Sequence, residues 1–160
     1  MTAAWLVFWV CLAQVLTQIG ANTWPVLLPH LLHEWSLSNS EAGWITGLMY
    51  AAYTLSVPFL VTATDRIDPK KIYLLGVSMT IAAHLGFALF ADGFWTAALF
   101  RALAGIGWAG TYMTGLKLLA DRVDGRMLSR ATAGHAASIG VSGALSFVLA
   151  DMIASRAGWE

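Results

Sequence analysis

The stretch "TDRIDPKK", residues 64–71, places five charged side chains in an otherwise apolar part of the chain. Residues 42–63 before it and residues 72–91 after it contain no Asp, Glu, Lys or Arg. Each flanking run has the length of about 20 residues that an α-helix needs to cross the hydrocarbon core of a membrane. The stretch is therefore predicted to connect two membrane-spanning helices.

The composition supports this interpretation, because 58% of the 160 residues are hydrophobic and only 11% are charged. Soluble domains carry about 25% charged residues. The chain is thus predicted to be an integral membrane protein with the lipid bilayer as its first partner, and its eight Trp suit the water–lipid interface. The net charge of zero and the lack of a basic tract argue against a nucleic-acid partner.

The fold class predicted is an all-α membrane bundle, since the apolar runs lack the alternation of a membrane β-barrel. Pro25 and Pro29 lie in the second half of the first run and predict a kink or local unwinding there. That run is too long for a cleaved signal peptide, and no basic segment precedes it. Five apolar runs of helical length are present, at residues 4–32, 42–63, 72–91, 94–118 and 131–154.

Basic residues in the connections predict the orientation, because Lys and Arg favour the cytoplasmic side. Seven of them follow span 2 or the end of span 4, whereas only Arg156 follows span 5. The N-terminus and the stretches "TDRIDPKK" and "DRVDGRMLSR" are therefore predicted to be cytoplasmic, and Glu160 to lie outside. A multi-pass protein of the cell membrane, such as a bacterial inner membrane, is expected. The seven residues are Arg66, Lys70, Lys71, Lys117, Arg122, Arg126 and Arg130.

Span 4 contains Arg101 about seven residues inside its outer end. A charge at that depth costs several kcal/mol unless it faces water or a partner. Two interpretations stay open: the side chain reaches the outer interface, or it faces a central cavity. Helical spacing puts Arg101, Gly105, Trp108 and Tyr112 on one face and Gly107, Gly110 and Thr114 on the opposite one. The glycines Gly105, Gly107 and Gly110 suit close helix packing.

Polar side chains also follow helical spacing in the other spans. Span 1 has Gln14, Gln18 and Asn22, and three amides facing lipid would be costly. The serines of span 5 either bond to their own helix or line a cavity; that stripe is His135, Ser138, Ser142 and Ser146. The candidate substrate contacts are Gln18, Asn22, Tyr50, Tyr53, Arg101, Trp108, Tyr112, His135 and Ser138.

Two motifs carry a family resemblance. The Asp65-Arg66 and Lys70-Lys71 pairs have the spacing of the loop between the second and third spans of the major facilitator superfamily, although Val61 and Asp68 replace its two glycines. "RALAGIGWAG", residues 101–110, has the Arg and Gly spacing of that family's fourth span, and "RAGWE" is similar to the outer loop before a sixth span. The chain resembles the first five helices of such a transporter.

The resemblance implies secondary transport of a small solute by alternating access, with no enzymatic activity and no cofactor. It also implies that a sixth span and a second six-helix half follow. In the family, spans 1, 2, 4 and 5 line the cavity, and the loop forms a cytoplasmic latch to the other half. The latch residues would be Asp65, Arg66, Lys70 and Lys71. The cavity face holds Arg101 and no carboxylate, which favours an anionic or zwitterionic solute.

A membrane redox or enzyme subunit with histidine ligands is the alternative. At 1.5 Å per residue, His135 lies about 7 Å and His84 about 20 Å from the inner edge, and this mismatch argues against a bis-histidine haem. The cluster of His30, His33 and Glu34 has helical spacing that would allow metal binding, but polar residues that end a helix at the interface are commoner. No metal or cofactor is therefore expected.

The orientation can be tested with single cysteines. Cysteines placed at Ser38 and Asp92 are expected to react from outside with an impermeant thiol reagent, and cysteines at Asp68 and Gly125 are not, because basic residues flank only the latter pair. Labelling of intact cells measures this. The reverse pattern would overturn both the orientation and the latch.

Overall fold

The computed structural model describes residues 2–157, and the regular structure in that range is entirely α-helical. The helices are joined by connections of a few residues, as the alternation of apolar runs and polar stretches predicts. In chain order they are α1 Ala3–Gln18, α2 Thr23–Glu34, α3 Asn39–Ala63, α4 Pro69–Phe90, α5 Phe94–Ala120 and α6 Gly125–Ala157. The expected all-α architecture is confirmed.

The first predicted span consists of two helices, α1 and α2, separated by turns at residues 19–22. The interruption lies in the second half of that span, as expected, but before Pro25 and not at Pro29, which lies inside α2. A proline ring clashes with the carbonyl four residues earlier and has no N–H to donate. For Pro25 that carbonyl belongs to Ala21, so a continuous helix through residues 19–22 is disfavoured.

Side-chain caps fix where α3 and α4 begin. The Ser38 hydroxyl accepts the Glu41 N–H at 3.2 Å, and a Glu41 carboxylate oxygen accepts the Ser38 N–H at 2.8 Å. Asp68 accepts the Lys70 N–H at 2.9 Å, and Pro69 is the first residue of α4. Such caps satisfy N–H groups that have no partner within the helix. One acid of "TDRIDPKK" therefore has a local structural role.

The helix α6 begins earlier than the predicted span, at Gly125, whose φ of +58° suits a residue without a Cβ. The polar stretch predicted as a connection thus shortens to residues 121–124, and Arg126 and Arg130 lie on the first turns of α6. Polar side chains mark the sequence boundary of the apolar run but do not stop a helix, because long basic side chains have good helix propensity.

Four stretches within residues 2–157 are long and apolar enough to cross a membrane: Ala3–Glu34, Asn39–Ala63, Pro69–Phe90 and Gly125–Arg156. The fifth predicted span, α5, forms a helix of 27 residues but is less apolar than these four. Arg101, Lys117 and four glycines lower its hydropathy. Many of its residues are buried, and a helix covered by protein needs less apolar surface than one covered by lipid.

The chain divides into two compact units, which are described separately. One unit contains α1, the chain up to Leu27 and the chain from Gly115 onward, including α6. Its apolar core consists of Val10 on α1 with Leu119, Val123 and Ala131. The core lies at the level of the 121–124 connection, so α1 is held beside the start of α6.

The other unit, residues 28–114, is built around close backbone contacts of α5. A Cβ placed on Gly107 would lie 2.9 Å from the Gly76 carbonyl oxygen, and one on Gly110 would lie 2.8 Å from the Gly76 Cα. On its other side, Gly105 lies against the Met49 carbonyl and the Tyr53 amide of α3. Glycine permits these approaches since it has no side chain to keep the helices apart.

Large apolar side chains are exposed along the helices of this unit, including Leu55, Phe59, Leu89 and Trp95, each at least two-thirds exposed. An exposed apolar surface of this extent is a liability in water and is typical of helices that contact lipid. The exposed residues and the buried glycines thus lie on different faces, because lipid covers the former and protein the latter.

The α4–α5 contact predicts a position-specific effect of one methyl group. Gly76→Ala is expected to lower the free energy of unfolding by about 1–3 kcal/mol, the range for overpacking, because the new Cβ would lie 2.7 Å from the Gly110 carbonyl carbon. Gly47→Ala on α3 is the control: nothing lies within 4 Å of its Cβ position, so no loss is expected. Loss of helical circular dichroism in a detergent denaturation series measures both; equal effects would contradict the proposed contact.

Candidate functional site

The polar stripes of α1 and α6 come together in the first unit. The amides of Gln14 and Gln18 are at most 5% exposed, and the four polar residues of α6 at most 3%. The backbone N–H of Asn22 donates to the Ser146 hydroxyl at 2.9 Å. We call this set the α1–α6 seam; its members are Gln14, Gln18, Asn22, His135, Ser138, Ser142 and Ser146.

Two further contacts set the direction of the seam. The Cys11 sulfur lies 3.8 Å from the Cβ position of Gly134, and the Asn22 side-chain nitrogen lies 3.0 Å from that of Gly143. Residue numbers rise together in these contacts, so α1 and α6 run parallel. Asn22 bonds to Ser146, and residue numbers rise together along the two helices. Gln18 therefore lies about level with Ser142, and Gln14 about level with Ser138.

The seam serines bond to their own helix. Ser138 donates to the His135 carbonyl at 2.5 Å, and Ser142 donates to the Ile139 carbonyl at 3.0 Å. Such bonds use the hydroxyl hydrogen and leave lone pairs as acceptors. Ser146 is used differently, because its oxygen accepts the N–H that the chain exposes where α1 is interrupted. A buried N–H without a partner would cost about 1–3 kcal/mol.

Gln14 stands apart within the seam. Its side chain is fully buried, and neither its amide nitrogen nor its amide oxygen has a hydrogen-bond partner among residues 2–157. Burying an amide without partners costs about 1–3 kcal/mol in proteins. Among residues 2–157, no hydrogen bond between α1 and α6 uses this amide. In the sequence, Gln14 was identified by its four-residue spacing from Gln18. The candidate substrate contacts, however, did not include it.

A second polar group lies in the unit of residues 28–114, on α3 and α5. Arg101 is 6% exposed, and the Tyr50 phenol is close enough to interact electrostatically with its guanidinium. The Trp108 ring lies 4.8 Å from the Tyr53 ring and 6.0 Å from the Tyr50 ring, between centroids. Tyr53 also interacts electrostatically with Tyr112. We call this set the α3–α5 aromatic cluster; its members are Tyr50, Tyr53, Arg101, Trp108 and Tyr112.

Every candidate substrate contact therefore falls into one of two groups, each described within its own unit. Gln18, Asn22, His135 and Ser138 belong to the α1–α6 seam, and the other five form the α3–α5 aromatic cluster. Gly105 lies on the Arg101 face and against α3, whereas Gly107 and Gly110 lie against α4.

The charged side chains of residues 64–71 are exposed, namely Asp65, Arg66, Asp68, Lys70 and Lys71. Within residues 2–157, positive φ values occur only at Ser36 and Gly125. Val61 and Asp68, which replace the two glycines of the family pattern, therefore adopt conformations open to any residue. The loop turns without glycine and keeps its charges accessible.

The remaining polar cluster is His30, His33 and Glu34, and all three side chains are exposed near the end of α2. No group of three or more His, Cys, Asp or Glu side chains in the described part of the chain is arranged to hold a metal ion. The interpretation as polar residues that end a helix at the interface stays a prediction.

The stability cost of Gln14 can be measured. Gln14→Met keeps the side-chain volume and removes the buried amide, so the free energy of unfolding is expected to rise by about 1–3 kcal/mol. Gln18→Met is the matched control, because Gln18 is also buried but interacts with other residues, and it is expected to destabilise. Denaturation in detergent followed by circular dichroism distinguishes the two. Destabilisation by Gln14→Met would show that its amide has a structural partner.

The sequence of this chain is similar to those of known transporters. The sequence model of one protein family, the Major Facilitator Superfamily, matches residues 10–160 of this chain. An uncharacterized MFS-type transporter, YwoD, of Bacillus subtilis (strain 168) is 24% identical over 115 residues, which are 72% of this chain. The chain spans about a quarter of the length of that relative, since the match covers 25% of it. No solved structure gives a significant match.

Proposed function

Because the chain belongs to the major facilitator superfamily, we propose that its helices serve in the alternating-access transport of a small anionic or zwitterionic solute. The family match and the relative's name both support membrane transport as the general function. They also favour a transporter over the alternative of a membrane redox or enzyme subunit. The observation that carries the choice of solute is the buried Arg101.

Arg101 lies eight positions into α5, counting Phe94 as the first, and only 6% of it is exposed. In the unit of residues 28–114, every carboxylate lies in a connection or at a helix end; these are Glu34, Glu41, Asp65, Asp68 and Asp92. Among the charged side chains of residues 28–114, the one that lies in the interior is therefore the basic Arg101. A desolvated guanidinium attracts anions and holds a carboxylate through two parallel hydrogen bonds.

The α1–α6 seam supplies the second part of the proposal. Gln14, Gln18 and Asn22 offer both amide donors and amide acceptors, and the seam serines retain acceptor lone pairs. Such groups are suited to contact the neutral polar groups of a solute. The unpartnered amide of Gln14 supports a ligand role, because it is costly to keep for packing alone.

The exposed charges of residues 64–71 would act as the latch on the cytoplasmic side. Asp65 and Arg66 would contact a partner surface in the outward-open state and separate from it when the cytoplasmic side opens. A carboxylate gains about 0.3–1 kcal/mol at the N-terminus of a facing helix. This assignment places the N-terminus in the cytoplasm, as the distribution of Lys and Arg predicts.

Arg101 provides the test of the solute charge. In the protein as the complete gene encodes it, Arg101→Lys is expected to weaken binding of a small carboxylate, and Arg101→Ala to lower it at least tenfold, since hydrogen bonds to charged groups contribute about 1.5–3 kcal/mol. Arg126→Ala on an exposed part of α6 is the control for lost charge. Direct binding measurements decide. If neutral or cationic solutes bind and Arg101→Ala has no effect, Arg101 is structural.

The latch has a separate test. Asp65→Asn is expected to slow transport several-fold and to increase labelling of a cytoplasmic cysteine, because one charged contact of the outward-open state is lost. Asp68→Asn is the matched control: it removes the same charge from the same loop, and Asn caps a helix as well as Asp. Transport assays in proteoliposomes compare the two. If the two variants behave alike, Asp65 has no specific role as a latch contact.

A further inference from the structure

The α3–α5 aromatic cluster presents aromatic faces close to a buried cation. Tyr53 and Trp108 are tilted by 43° at 4.8 Å, and Tyr50 and Trp108 by 57° at 6.0 Å. The contact of Gly105 with the Met49 carbonyl brings the two helix backbones together one turn before Trp108. The large rings therefore occupy adjacent positions on helices that are in backbone contact.

The donors of the cluster outnumber its dedicated acceptors. Arg101 has only N–H donors, and the indole of Trp108 has one N–H and no acceptor. The Trp108 Nε1 is buried and has no hydrogen-bond partner within residues 2–157. The phenols of the tyrosines are the remaining polar groups and can donate or accept. The cluster is therefore suited to a ligand that accepts hydrogen bonds.

Aromatic faces alone would also suit a cation, since a ring face attracts positive charge. Arg101 argues against that choice, because its own positive charge interacts with the Tyr50 phenol and would repel a second cation. The same rings favour offset or edge contacts with another aromatic ring. Charge and ring geometry together select an anion with a planar aromatic body.

The members of the cluster differ in exposure. Tyr50 is 51% exposed, whereas Arg101 is 6% exposed. A ligand that enters past Tyr50 would therefore place its charged group deepest and its apolar body against the rings of Tyr50, Tyr53 and Trp108.

We infer that the α3–α5 aromatic cluster binds an aromatic monocarboxylate, with the carboxylate on Arg101 and the Trp108 N–H and the ring against the tyrosines. This inference rests on the proposed function and narrows its solute class. Benzoate is the smallest probe with both features. Benzamide lacks the charge, cyclohexanecarboxylate has a ring that is not aromatic, and acetate has no ring.

Equilibrium dialysis of the four probes against the complete protein in lipid nanodiscs tests the inference, with protein-free discs to correct for partitioning. Benzoate is expected to bind about tenfold or more tightly than benzamide, the effect of one charged hydrogen-bonding group. It is also expected to bind several-fold more tightly than cyclohexanecarboxylate, and acetate is expected to bind most weakly. This series needs no variant, so it does not depend on the folding of a mutant.

One variant pair then assigns the site. Trp108→Phe keeps an aromatic ring and removes the N–H, and it is expected to weaken benzoate about tenfold. Trp44→Phe, at an exposed position on α3, is expected to leave benzoate binding unchanged. Unchanged binding in Trp108→Phe would overturn the assignment to this cluster.

The outcomes separate the inference from the function on which it rests. If cyclohexanecarboxylate and acetate bind as well as benzoate, the aromatic class is wrong, and an anionic solute still stands. If benzamide binds as well as benzoate and Arg101→Ala leaves binding intact, the anionic solute itself is wrong and both proposals fall.

Discussion

The close contact of α5 with its neighbours is the constraint on which the unit of residues 28–114 depends. Within lipid, apolar surfaces gain little from association because the surrounding tails are equally apolar. Helices then associate through close packing, and close packing requires small residues. Gly107 and Gly110 meet Gly76 on α4, while Gly105 meets the α3 backbone. The helix is thereby fixed on two sides without a large apolar interface.

This arrangement also explains where a charge can be placed. The backbone contacts of α5 leave the faces next to Gly105 for larger side chains, and Arg101 and Trp108 occupy them. A guanidinium on a lipid-facing helix surface would cost several kcal/mol. In this protein the guanidinium is buried and interacts electrostatically with the Tyr50 phenol of α3 instead. The low hydropathy of α5 has the same cause, because a helix surface that contacts protein need not be apolar.

Much of this architecture could be predicted from the sequence, since charge-free runs of about 20 residues identify helices without any knowledge of packing. The glycine spacing of α5 and the stripes of α1 and α6 also indicated which residues belong together. Three features were beyond such patterns. The prolines predicted a break in the first span but not its position at residues 19–22, α6 extends to Gly125 through polar residues, and the family's loop forms without its glycines. Each depends on local geometry that composition does not encode.

The α1–α6 seam shows which polar residues need a functional explanation. Ser146 has a structural one, because the interrupted end of α1 exposes the Asn22 N–H and the hydroxyl accepts it. Ser138 and Ser142 bond to their own helix and are tolerated in a buried position. Gln14 has no such account within residues 2–157, since both of its amide atoms are buried without a hydrogen-bond partner. An apolar residue of the same volume would fill the position at lower cost. Gln14 is therefore the seam residue whose polarity the hydrogen bonds between and within α1 and α6 do not explain.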